Sequence, residues 1–123
     1  MNELDVQEAV SGHAARNAQL QEALRKKRVD IKSSRPIDCH FWAGSRKAAQ
    51  ELAQALRSRG FTILVQRKAA TPSVDFPWNV EARVIQSVDL TTRPEFTDEL
   101  VRLAFSHHSV YDGWGTSLSP DEG

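Results

Sequence analysis

Apolar and polar residues alternate in short runs of this chain, and between those runs apolar residues recur with the period of a helix. Ile37, Cys39 and Phe41 alternate with Asp38, His40 and Trp42, the pattern of a strand with one covered face. Trp78, Val80, Ala82 and Val84 alternate with Asn79, Glu81, Arg83 and Ile85 in the same way. Phe61, Ile63 and Val65 predict another strand, and Ser109 to Thr116 a short last one. Between the first two strands, Ala49, Leu52, Ala53 and Leu56 follow i, i+3, i+4, i+7 spacing, which predicts an amphipathic helix. Ser45 is a good N-cap for it, and Arg57, Arg59 and Gly60 supply the stop. Phe96, Leu100, Leu103, Ala104 and His107 trace a second helix, preceded by capping-box spacing at Thr92-Arg93-Pro94-Glu95.

The first 35 residues are more polar. Asn17 to Arg25 is rich in strong helix formers, with Leu20 and Leu24 as a thin apolar stripe. An earlier helix from about Leu4 to Val10 is expected to be interrupted or frayed at Ser11-Gly12. Ala69 to Pro77 holds two prolines and reads as a loop. The chain therefore divides into an N-terminal helical extension (1–35), a folded domain (36–116) and an acidic, polar tail (117–123) expected to be disordered.

Strand, helix, strand, strand, helix, strand is the order of a ferredoxin-like α+β sandwich. Such a domain has a four-stranded antiparallel sheet with two helices on one face, here with an added N-terminal helix. The purely apolar set of the first strand belongs under the helices. Asp38, His40 and Trp42 then face outward beside Glu81, Arg83 and Ile85. That half-polar surface is expected to be either a binding face or the seat of the N-terminal helix.

The last strand carries Tyr111-Asp112-Gly113-Trp114-Gly115-Thr116. Two glycines in one strand signal a bulge, a bend or a close backbone approach. The two aromatics suit either a fold-stabilising cluster or a partner anchor.

Composition narrows the function classes. The 123 residues contain 16 basic and 16 acidic side chains, for a formal net charge of zero. That argues against a protein built around a large phosphate-binding surface, though Arg25-Lys26-Lys27-Arg28, with Lys32 and Arg35, forms a local basic run. Cys39 is the only cysteine, so neither an internal disulfide nor a multi-cysteine zinc site is possible. The acidic start Met1-Asn2-Glu3-Leu4-Asp5 lacks an apolar signal core, and no run approaches membrane-spanning length. A cytoplasmic protein with no membrane contact is the expectation.

Candidate chemistry is sparse. Cys39, His40, His107 and His108 match no standard ligand spacing, and Cys39 and His40 point to opposite faces of their strand. Asp38, Glu81 and Asp112 are read as carboxylates of a solvated sheet face, with Arg83 a pairing partner for Asp38 or Glu81. The expectation is a non-enzyme with no cofactor, no metal and no small-molecule ligand. The third strand lacks the aromatics of RNA-recognition sheets, which disfavours direct RNA binding. The alternative is an RNA-binding module using the open face and the basic helix end.

Several blocks, in order, resemble one family. They are Asn17 to Leu24 (N-x-x-L-x-x-x-L), Arg35-Pro36-Ile37-Asp38 running into His40-Phe41-Trp42, the alanine-rich helix ending Arg59-Gly60-Phe61, Trp78 opening its strand, and Tyr111 to Thr116. Together they resemble the regulator of ribonuclease activity B (RraB) family, whose members are understood to bind ribonuclease E and damp its cleavage of RNA. The resemblance implies a ferredoxin-like domain acting by protein–protein contact on an endoribonuclease of the ribonuclease E type. The partner-binding candidates are Asp38, His40, Trp42, Arg83, Tyr111, Asp112 and Trp114. Family members are often distinctly acidic, whereas this chain is neutral.

Overall fold

The alternating segments form four strands and the periodic ones form helices. The computed structural model describes residues 2–70 and 75–118. In chain order the elements are α1 (Glu3–Lys26), β1 (Ser34–Ala43), α2 (Arg46–Ser58), β2 (Thr62–Lys68), β3 (Trp78–Ser87), α3 (Val88–Thr91), α4 (Pro94–Ser106) and β4 (Ser109–Gly115). The sheet order is β2-β3-β1-β4 with every neighbour antiparallel, the ferredoxin-like arrangement.

Ile37, Cys39, Phe41 and Ala43 of β1 are fully buried with Val80 and Ala82 of β3. Ala49, Leu52 and Leu56 of α2 and Leu100, Val101 and Ala104 of α4 complete that layer. Each large apolar side chain so buried contributes roughly 1.5–3 kcal/mol relative to exposure. α2 runs between the expected signals. The Ser45 hydroxyl accepts from the Ala48 amide at 3.0 Å. At its other end Gly60, at φ +90°, closes the helix while the Phe61 amide donates back to the Leu56 carbonyl at 3.1 Å.

Two local expectations differ from the structure. Ser11-Gly12 does not interrupt α1, which runs unbroken for 24 residues. A reciprocal cap between Asn2 and Asp5 starts the helix, and a stripe at Val6, Val10, His13, Asn17, Leu20 and Leu24 holds it against the domain. The spacing of four, three, four, three, four keeps all six on one side, offsetting the ~1 kcal/mol cost of an internal glycine. The capping box at Thr92 to Glu95 is also replaced. Arg93 caps α4 without a side-chain bond, because Thr92 ends α3 and its hydroxyl donates to the Asp89 carbonyl and accepts from Gln21.

The expected loop and tail fall partly outside the described residues, at 71–74 and 119–123. Ser117, the first tail residue, accepts from Arg35 Nη2 through its carbonyl at 2.8 Å. α1 runs antiparallel to α4, with Glu3 on Arg102, Asn17 on Thr97 and Gln21 on Thr92. It thus joins the helical layer and leaves the opposite face of the sheet uncovered among the described residues. No described helix is long and apolar enough to cross a membrane.

Candidate protein-docking face

The uncovered face is built from the outward residues of two central strands. Register places Asp38 opposite Arg83, His40 opposite Glu81, and Trp42 opposite Asn79. Arg83 Nε and Nη2 donate to the two Asp38 carboxylate oxygens at 2.7 and 3.1 Å, a two-pronged pair. The bound carboxylate favours the charged guanidinium and moves Arg83 further above its ordinary value. One rung along, His40 Nδ1 contacts Glu81 Oε1 at 3.1 Å, donating when that nitrogen carries the proton. These side chains remain a quarter to two-fifths exposed. Each end of the polar ladder is apolar, with Trp42 and Val110 at one and Pro36 and the largely exposed Ile85 at the other.

β4 borders this face with little side chain of its own. Gly113 lies opposite His40 and Gly115 opposite Asp38. A Cβ at Gly115 would approach the His40 imidazole only to 3.9 Å, so the border is a shallow backbone trough.

The register of β4 slips between His40 and Phe41, leaving Asp112 as an extra residue. Gly113 takes φ +112°, which a side chain rarely adopts. The extra residue reverses the alternation, so Tyr111 and Trp114, three apart, both point into the helical layer. Tyr111 retains 4% of its surface and Trp114 7%. Tyr111 packs on Phe41 at 5.2 Å between ring centroids and on the His13 ring at 4.8 Å. The Trp114 indole donates to Asn17 Oδ1 at 2.8 Å. Asp112 is exposed at the bulge, and its carbonyl accepts from Arg16 Nη1 at 2.8 Å.

Of the seven sequence-derived candidates, Asp38, His40, Trp42 and Arg83 therefore share one open surface. Asp112 stands at the sheet edge, and Tyr111 and Trp114 lie beneath α1. Sequence reasoning missed the latch residues His13 and Arg16, which donate to the Tyr111 and Asp112 carbonyls. For His13 the signal was the α1 stripe, in which His13 and Asn17 interrupt an otherwise apolar series; Arg16 is exposed and lies off that stripe.

Burial pushes the Cys39 thiol up to about 12, far from a reactive thiolate, with the Tyr111 hydroxyl opposing that shift only in part. Among the described residues, no cluster of histidine, cysteine and carboxylates has metal-binding geometry. A family model described as regulator of ribonuclease activity B matches residues 14–116. No curated protein matches the sequence.

Proposed function

Because the chain belongs to the regulator of ribonuclease activity B family, a family of regulators rather than catalysts, we propose that it binds an endoribonuclease of the ribonuclease E type and lowers its cleavage of RNA. The observation that carries this reading is the family match from residue 14 to 116, which takes in the second half of α1 and the domain. The contact surface in this proposal is the open sheet face: Asp38, His40, Trp42 and Arg83, with Asp112 at its border. Its chemistry supports the choice, since tryptophan and arginine are enriched among residues that dominate protein interfaces. The pairs Asp38–Arg83 and His40–Glu81 fix their side chains before a partner arrives, which lowers the entropy cost of association. In this reading Tyr111 and Trp114 act indirectly, by holding β4 and its glycine border in place.

The test is a titration of the full chain against a ribonuclease E-type enzyme, with cleavage of a labelled single-stranded RNA as the second readout. Saturable binding with reduced cleavage is expected. Trp42→Ala with Arg83→Ala should weaken both at least about tenfold, equivalent to ~1.4 kcal/mol, while the fold persists. Unchanged cleavage and no binding at micromolar protein overturn the partner. Binding that survives the double substitution overturns the face while leaving the partner in place.

A further inference from the structure

Arg25, Lys26, Lys27 and Arg28 are consecutive, all exposed, and none forms an ion pair among the described residues. Other cations nearby are engaged: Lys32 and Arg93 share Asp89 at 3.2 and 3.0 Å. The run therefore keeps its charge unanswered on a chain whose net charge is zero.

Its backbone is held in place. Leu24 before the run and Val29 after it are both buried. The Arg28 amide donates to the Arg25 carbonyl and the Val29 amide to the Leu24 carbonyl, both at 3.0 Å, which closes the helix end. In this closure Arg28 takes φ +63°, a conformation that favours glycine. The same closure at the end of α2 uses Gly60. The helix dipole accounts for cations within the last turn, Arg25 and Lys26, but not for an arginine kept in a left-handed position beyond it.

We propose that this run is a docking site for a short acidic protein segment in extended form, a contact separate from the open sheet face. Charge complementarity selects an anion. The surroundings select a peptide over a nucleic acid. From Gln21 to Arg35 the chain has no aromatic side chain on which a base could stack. Glu22 and Asp30, both exposed, flank the run and repel any polyanion that continues past it. A few carboxylates on a flexible strand fit between them, each able to take two hydrogen bonds from an arginine. The proposal does not depend on the ribonuclease assignment.

The experiment titrates a fluorescently labelled twelve-residue peptide, with four central Asp/Glu residues and uncharged flanks, with the full chain, beside a labelled single-stranded RNA twelve-mer, at low and physiological salt. One variant carries Arg25→Gln, Lys26→Gln, Lys27→Gln and Arg28→Gln. A charge-matched control carries Arg46→Gln, Arg57→Gln, Arg67→Gln and Lys68→Gln, at exposed positions elsewhere. The expected result is peptide binding that weakens with salt, falls at least about tenfold in the first variant, and changes no more than about twofold in the control. No peptide binding by the unaltered chain, or an equal loss in both variants, overturns the proposal. Tighter binding of the RNA, lost with the same four residues, also overturns it and makes a nucleic acid the occupant.

Discussion

The indole Nε1–H of Trp114 donates to Asn17 Oδ1 at 2.8 Å, and Asn17 in turn donates from Nδ2 to Thr97 Oγ1 at 3.3 Å. One buried amide thus ties β4 and α4 to α1. Asn17→Ala leaves a buried indole N–H without its acceptor, at a cost of about 1–3 kcal/mol. The urea midpoint of unfolding should fall accordingly. In a double-mutant cycle with Trp114→Phe, the combined loss should be smaller than the sum, because both changes remove the same bond. Strict additivity would show that the bond contributes nothing.

His13 gives the fold an acid-sensitive seam. Its Nε2–H donates to the Tyr111 carbonyl at 3.0 Å, and its ring stacks on Tyr111. Burial moves its pKa below the ordinary 6.5, helped by the charge of Arg16 and opposed by the Tyr111 carbonyl and the Asp112 carboxylate. The unfolded chain then binds more protons than the folded one in the interval below 6.5. Stability is therefore full above that value and declines as pH falls toward the folded pKa. Denaturation midpoints at pH 7.5 and 5.5 should differ more for the unaltered chain than for His13→Gln. An identical difference in both would remove His13 from the explanation.

Gly113 and Gly115 should respond differently to a methyl group. At Gly113 the backbone sits at φ +112°, and a Cβ would meet Arg16 Nη1 at 3.0 Å. The arginine tip can move, so the dihedral dominates, and Gly113→Ala should destabilise by about 1–3 kcal/mol. Gly115→Ala meets only an ordinary contact with His40 and should change stability by less than about 1 kcal/mol. Thermal melts of the two single variants separate these cases.

Arg28 is predicted to cost the protein stability. Arg28→Gly relieves the left-handed strain at φ +63° and should raise unfolding free energy by about 1 kcal/mol. The same substitution should weaken acidic-peptide binding. A variant more stable and less adhesive than its parent is the expected signature, measured by melting and by titration on one sample.

β1, β3 and α2 were legible because their inward-facing apolar residues keep period two or 3.6 throughout. The Asp38, His40 and Trp42 face followed directly from that alternation, and Arg83 was already a pairing candidate for Asp38. The length of α1 was hidden because His13 and Asn17 occupy the centre of its buried stripe, where an apolar residue would have revealed the periodicity. Its seat was hidden too, since a polar stripe does not indicate whether a helix joins the helical layer or the bare side of the sheet. In β4, the paired glycines announced an irregularity but not its position. Tyr111 and Trp114 therefore could not be assigned a common face from spacing alone.

The slipped register of β4 makes chain length at that point matter more than side-chain identity. Asp112 is exposed, and the contact drawn from it toward α1 is its backbone carbonyl, which any residue would supply. Deleting it, however, would restore strict alternation and turn Trp114 toward solvent while Tyr111 stayed inside. The domain should therefore tolerate many substitutions at 112 and no deletion. Evolution of this strand is free in letters there and fixed in count.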